Sequence, residues 1–361
     1  MTGLKPTYGR VSRSGVFALS PALDTAGPMA RDARDCGLLL QAIAGHDAAD
    51  PASANAPVAD YCAALDGDLR GLRIGVIRHF WERDTRANAD AARTIEEALQ
   101  VLRGRGAALA DIELAPLMEY GDVRVLLQEA EAFAIYHAVL RSSADQFGVD
   151  FLGRVLPGCL VPAYAQSQAA RKRRLLVQQM RDAFRTVDVL VTIGPGPAPR
   201  FDAAQTHGFL YGLWSDKPNL LAPFSVTGFP TLSVCTGFSG NGLPTSMQIT
   251  GRPWDEATVL KVGDAFQRDT DWHLKRPPDW PPVAAVTLAP LEEPEPIDAA
   301  TRNWVDTCIA QAGLKLTEDQ HKLVLAAAPR VQRAIGRSGS IEDRSVEPAS
   351  IFSLADQVPG A

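Results

Sequence analysis

The chain has 361 residues, 46% of them hydrophobic and 22% charged, a composition that excludes collagen-like, disordered and disulfide-scaffold classes. A formal net charge of −6 lacks the basic balance of a nucleic-acid binder. No apolar run approaches the ~20 residues that cross a bilayer, and residues 1–10 hold no apolar signal-type stretch. A cytoplasmic setting follows as the expectation, with neither membrane nor nucleic acid as partner.

Residues 1–35 are rich in Gly, Pro and Ser and read as ordered loop. From Arg31 to Ala44, Cys36, Leu39, Leu40 and Ile43 recur at helical spacing. A polar loop follows over 45–54. Arg73 to Phe80 is a short apolar run that reads as a strand. Ala87 to Arg103 is a helix with Ile95, Leu99 and Leu102 on its stripe, and Leu109 to Leu114 is a second strand. Strand, helix, strand in this order predicts a βαβ unit in a largely parallel or mixed sheet. Tyr120 to Ser142 and Pro162 to Arg185 are long helices. The second carries Arg171, Lys172, Arg173 and Arg174, which read as a solvated face, the alternative being a face toward an acidic substrate or RNA. Val187 to Ile193 is a buried-strand run closed by Gly194-Pro195-Gly196-Pro197. Pro230 to Phe238 and Thr245 to Thr250 are strands joined by a Gly-Asn-Gly-Leu-Pro turn, and Ala257 to Gln267 is a helix.

The composition then shifts. Between Arg276 and Pro296 stand seven prolines, the mark of an extended linker. Two helical patterns follow: Asp298 to Ala312, stopped at Gly313, and one opened by Thr317 and Gln320 in a capping-box arrangement. Pro329 predicts a kink or break in the latter. The domains are therefore read as a body over 1–275, a linker over 276–297 and a helical arm over 298–361. The arm is too short to bury much core alone and must pack on the body or on a partner.

The residues offer little chemistry by themselves. The five cysteines are scattered, with no Cys-x-x-Cys pair, and read as reduced thiols. None of the six histidines sits at metal-ligand spacing with another His or Cys. Phosphate-loop, dinucleotide, nucleophile-elbow and HExxH motifs are absent, so no metal and no cofactor is called for.

A resemblance carries more. Gly3-Leu4-Lys5-Pro6-Thr7-Tyr8-Gly9-Arg10-Val11-Ser12 is similar to the stretch that follows the Gly/Ser-rich signature of the amidase signature family. Ser20, Asp24, Gly27, Pro28 and Arg31 continue it, as do Gly45 to Pro51 and Asp188 to Thr192. It returns at Asn219, Gly228, Pro230, Gly242-Leu243-Pro244, Gln248 and Gly251-Arg252-Pro253. The resemblance implies an α/β fold: a mixed β-sheet sandwiched by helices, here with a small α-helical C-terminal arm. It implies hydrolysis of a small carboxamide or ureide through a Ser–cis-Ser–Lys triad, in which a buried lysine activates the nucleophile.

In the family pattern that triad lies ahead of the Gly-Leu-Lys-Pro-Thr stretch, so no catalytic residue is assigned here, and the chain alone is expected to be inactive. A valine codon read as the start at Met1 would produce this beginning. Lys5 is then the ordinary lysine of its motif. As active-site support the resemblance points to Asp24, either orienting the loops around the triad or merely tying one down, and to Arg31 as a charge-assisted anchor. Gly228 and Pro230 shape a turn near the pocket, and Cys235, where the family commonly has proline, reads as a buried small hydrophobe rather than a nucleophile. The arm resembles the small helical companion subunits that wrap amidases and tRNA-dependent amidotransferases. It offers a surface for an amidase partner or a homodimer. Two other readings stay open: a non-catalytic scaffold paralogue, and the A-type subunit of a tRNA-dependent amidotransferase.

Overall fold

The computed structural model describes residues 1–196, 217–277, 296–339, 341 and 346. Thr2–Lys5 forms strand β1, where the Gly- and Pro-rich composition reads as loop. It is a strand because both its edges are filled, by Met29–Ala30 (β2) on one side and by a strand from far along the chain on the other. Ala33–Ile43 (α1) is capped by Asp32, whose carboxylate accepts the Asp35 N–H at 2.8 Å. Arg73–Val76 (β3), Ala89–Gly104 (α2) and Ala108–Asp111 (β4) make the expected βαβ unit, with β3 and β4 parallel. The first strand stops short of Phe80, because Phe80–Asp84 coils into a π-helical turn.

Leu117–Ser143 (α3), Val149–Val155 (α4) and Ala163–Ala183 (α5) lead to Val189–Ile193 (β5). After Ala222–Thr227 (α6) come Thr231–Phe238 (β6), Pro244–Gly251 (β7) and Glu256–Arg268 (α7). The arm supplies Ala299–Gln311 (α8) and Glu318–Ser338 (α9). The strand order is β2-β1-β6-β7-β5-β3-β4. The β4, β3 and β5 strands run parallel and the other pairings are antiparallel.

Strand β5 explains the layering. All five of its residues are buried, as a strand covered on both faces requires. Val189, Val191 and Ile193 face a core built with α1, α2 and α7, whereas Leu190 faces a second core built with α3, α5 and α6. A third core joins the far half of α3 and α4 to the arm, through Val305, Leu323, Val324 and Val331. The arm thus packs on its own body. The Thr317–Gln320 capping box is present, but α9 runs through Pro329 without the expected break. The proline-rich 278–295 and the apolar-spotted tail beyond residue 346 lie outside the described residues.

Helix α9 is registered on α3 by charge. Arg337 donates to Asp122 at 2.6 and 2.7 Å, and Arg330 pairs with Glu129, where both side chains are buried. Asp122 and Glu129 lie two turns apart on one helix, as do Arg330 and Arg337 on the other, so the pairing is antiparallel. Removing one partner of a buried pair leaves the other uncompensated. Arg330→Ala is expected to lower stability by about 3–5 kcal/mol, read as a shifted urea midpoint at unchanged slope. A loss of only about 1 kcal/mol, the size seen for surface pairs, would show that this contact does not hold the arm.

Candidate functional site

The Gly-Leu-Lys-Pro-Thr-Tyr stretch leaves the sheet at Lys5 and is fastened on three sides. Beneath it, the buried carboxylate of Glu256, at the first turn of α7, accepts the Thr7 N–H at 2.8 Å and lies 3.6 Å from Arg10 Nε. Thr7 Oγ1 accepts the Trp254 N–H at 2.8 Å. On another side, the Tyr8 N–H donates to Gly228 O at 3.0 Å. Tyr8 OH donates to Pro21 O at 2.7 Å, and the Arg13 guanidinium stands 5.0 Å from the centre of the Tyr8 ring. Arg13 is itself fixed by Asp50, with three bonds of 2.8–3.2 Å. Burial would raise the Asp50 carboxyl, but the Arg13 bonds and the Ala52 N–H outweigh it and hold it at about 2.

The 19–24 loop closes the third side. Asp24 Oδ2 accepts the N–H groups of Leu19 and Ser20 at 2.8 and 2.9 Å. Its carboxylate is therefore engaged in holding its own turn. Glu131 of α3 accepts from Ser20 Oγ at 2.5 Å and from the Ala22 N–H at 3.1 Å. Arg173 of α5 completes the junction. Its Nε donates to Val226 O in the last turn of α6 at 2.6 Å, and its Nη2 donates to Ala22 O at 2.8 Å. Burial lowers the Arg173 pKa to about 10, against the opposing pull of Tyr8 and Glu131, which leaves it charged at neutral pH. The reading of Arg171–Arg174 as a solvated face is thereby corrected for Arg173, whereas Arg174 is exposed. Arg173 is buried, Lys172 pairs with Glu119 at 2.6 Å, and Arg171 donates to Ile341 O at 2.9 Å. The signal was in the sequence: Ala165, Ala169, Arg173, Leu176, Val177 and Met180 share one buried stripe of α5.

Lys5 is not an ordinary surface lysine. It is half-buried, and its Nζ donates to Pro6 O at 2.9 Å. Burial pulls its pKa down to about 7, helped by Arg173 and opposed by Glu256. Gly228 ends α6 in the left-handed conformation, φ +77°, which a glycine adopts without strain. Pro230 is buried and its carbonyl accepts the Gly251 N–H at 3.0 Å. Tyr8 thus brings Gly228 and the Asp24 loop to one junction. Arg31 stands apart: its side chain is exposed, and its carbonyl accepts from Thr2 Oγ1 at 3.1 Å. Cys235 is half-buried rather than buried, and burial raises its thiol pKa.

Among the described residues no serine hydroxyl is hydrogen-bonded to a lysine or a histidine. Ser12 and Ser20 donate instead to Asp47 and Glu131, both at 2.5 Å. Four histidines are engaged by backbone groups or a carboxylate: His46 by Ser53 O, His79 by the Leu114 N–H, His137 by Ala312 O and His321 by Asp306. His207 lies outside the described residues. Among the described residues no group of three His, Cys, Asp or Glu is set to hold a metal ion, and no helix is long and apolar enough to cross a membrane.

A sequence profile of the family described as Amidase matches residues 1–260. The A-type subunit of the glutamyl-tRNA(Gln) amidotransferase of Chloroflexus aggregans is 37% identical over 302 residues, which is 77% of this chain and 60% of the relative. Two solved structures share the architecture. One is a chain of the vestigial protein complex described as revealing the origins of an s-triazine catabolic enzyme (TM-score 0.64, 25% identity, 74% of this chain and 58% of that one). The other is the peptide amidase of Stenotrophomonas maltophilia (TM-score 0.59, 30% identity, 77% and 59%). The chain spans about three fifths of the length of the curated relatives it matches.

The Lys5 environment makes a prediction. An unfolded lysine keeps its proton up to its ordinary pKa of 10.5, whereas the folded one loses it near 7. Between those limits the unfolded state binds more protons, so this group makes stability rise with pH across the window and penalises the fold below it. Lys5→Met is therefore expected to be more stable than the parent at pH 6.5 and to lose that advantage toward pH 10 in urea unfolding. An advantage independent of pH would refute the lowered pKa.

Proposed function

The chain belongs to the amidase signature family, and from that premise we propose that it forms part of the scaffold of a hydrolase acting on a carbon–nitrogen bond in a small carboxamide or ureide. The observation that carries the reading is the fastening of Gly3–Arg10 between β6, α6 and α7, in a chain whose first 260 residues match the family. In this proposal Tyr8, Asp24, Arg173 and Gly228 support the wall of the site, and Pro230 fixes the turn behind it. In this reading the serine nucleophile and its base lie outside the described residues, among which no serine hydroxyl is hydrogen-bonded to a lysine or a histidine. We include in the reading the division into body 1–275, linker 276–297 and arm 298–361, in a cytoplasmic protein. The apolar stripe of the arm, Leu323, Val324 and Val331, is occupied by its own body. That favours a companion acting in cis over a surface for an amidase partner or a second copy.

A second reading has one specific support. The curated relatives are A-type chains of glutamyl-tRNA(Gln) amidotransferases. The same scaffold is therefore proposed as a candidate for that role, in which ammonia taken from an amide passes to an acylated tRNA. The two readings part on partners: the second requires stable association with further amidotransferase subunits, and the first does not.

The purified 361-residue chain is expected to show no labelling by a fluorophosphonate probe and no release of ammonia from a panel of carboxamides and ureides. Stoichiometric labelling of a serine within residues 1–361 would overturn the scaffold reading.

A further inference from the structure

A cleft of about 790 Å³ opens beyond the carboxyl end of β5. Its walls are Thr85–Asn88, Ile193–Gly196 at the carboxyl end of β5, and Lys217–Leu221. Crevices beyond the carboxyl ends of parallel strands are where open α/β sheets bind ligands, and the volume suits a small organic molecule rather than a single ion.

The electrostatics of this cleft are one-sided. Arg86 and Lys217 line it, and no Asp or Glu is among its described lining residues. Among the described residues neither cation has a hydrogen-bond or ion-pair partner. The carboxylates flanking Arg86 in sequence are engaged elsewhere, Asp84 by the Leu117 N–H and Asp90 by the Gly240 N–H, both at 2.8 Å. Two asparagines on the walls have their carbonyl oxygens occupied, Asn88 by the Ala91 N–H and Asn219 by the Leu221 N–H, each at 2.8 Å. What those amides have left to offer is N–H donors.

Arg86 is also strained. It has φ +49°, a left-handed conformation that glycine adopts freely and a long side chain does not. Arg86 and Lys217 are both exposed and reach solvent at the cleft, so a ligand entering from solution can meet them without displacing a described protein partner. We infer that this cleft binds a small organic anion carrying carboxylate or phosphate groups, gripped by Arg86 and Lys217 and oriented by the Asn88 and Asn219 amides. The inference is independent of amide chemistry and stands whether or not the scaffold reading does.

The test is calorimetric titration of the full chain at low ionic strength with citrate and with inorganic phosphate as probes. Saturable binding of either, weakened by added salt and at least tenfold by Lys217→Ala and by Arg86→Gly, is the expected result. Binding of citrate alone assigns carboxylate as the ligand's acid group, and binding of phosphate assigns phosphoryl. Arg86→Gly relieves the backbone strain, so it should melt at or above the parent temperature while losing the anion. Failure of both probes to bind, or binding untouched by both variants, overturns the inference. So does an Arg86→Gly protein melting well below the parent, because the arginine would then serve the fold.

Discussion

The guanidinium of Arg173 joins three pieces of chain that have no backbone ladder in common. It reaches α6 through Val226 O and the 19–24 loop through Ala22 O, while standing on α5 in a row of apolar residues. Desolvating an arginine is costly, and here the cost is offset by two short bonds to carbonyls and by the nearby Glu131 carboxylate. Val226 lies in the last turn of α6, where the unpaired carbonyls make a helix end partly negative, so the charge meets the potential it needs. Without that cation, Val226 O would have to find a donor in a buried setting, and Ala22 O would lose its partner at the part-buried edge. The loop carrying Asp24 and the turn carrying Gly228 would then lose their common anchor.

Much of the fold was legible because local pattern and tertiary packing agree. The βαβ unit, the apolar β5 and the capping box that opens α9 appear where periodicity and capping residues put them. β1 was not legible. A four-residue run with Gly and Lys has little strand propensity, and it is a strand only because β6 lies against it. The same limit hid the site. Lys5 and Glu256 are unremarkable charged residues in sequence, and their character comes from being brought beside each other after the two ends of the body meet. Arg173 was hidden differently: a run of four basic residues dominates the eye, although the helical period marks only one of them as facing inward.

The two regions that emerge are built on opposite electrostatic principles. Around Tyr8 the cations are matched: Arg13 by Asp50, Arg10 by Glu256, and Arg173 by carbonyls with Glu131 nearby. Around Arg86 and Lys217 the described residues supply no match, and the positive potential is left for whatever enters.

The arm shows how polar and apolar forces divide their tasks. Leu323, Val324 and Val331 would adhere to α3 and α4 in more than one register, because apolar contact is not directional. The antiparallel pairing of Arg330 with Glu129 and Arg337 with Asp122 permits only one. A slip by one residue would leave four charges uncompensated at the contact. That pairing also demands an unbroken helix between residues 330 and 337. Pro329 stands immediately before this span, where its ring removes one N–H from the helical ladder. The helix continues through the proline because ending it would place Arg330 and Arg337 out of step with the two buried carboxylates of α3.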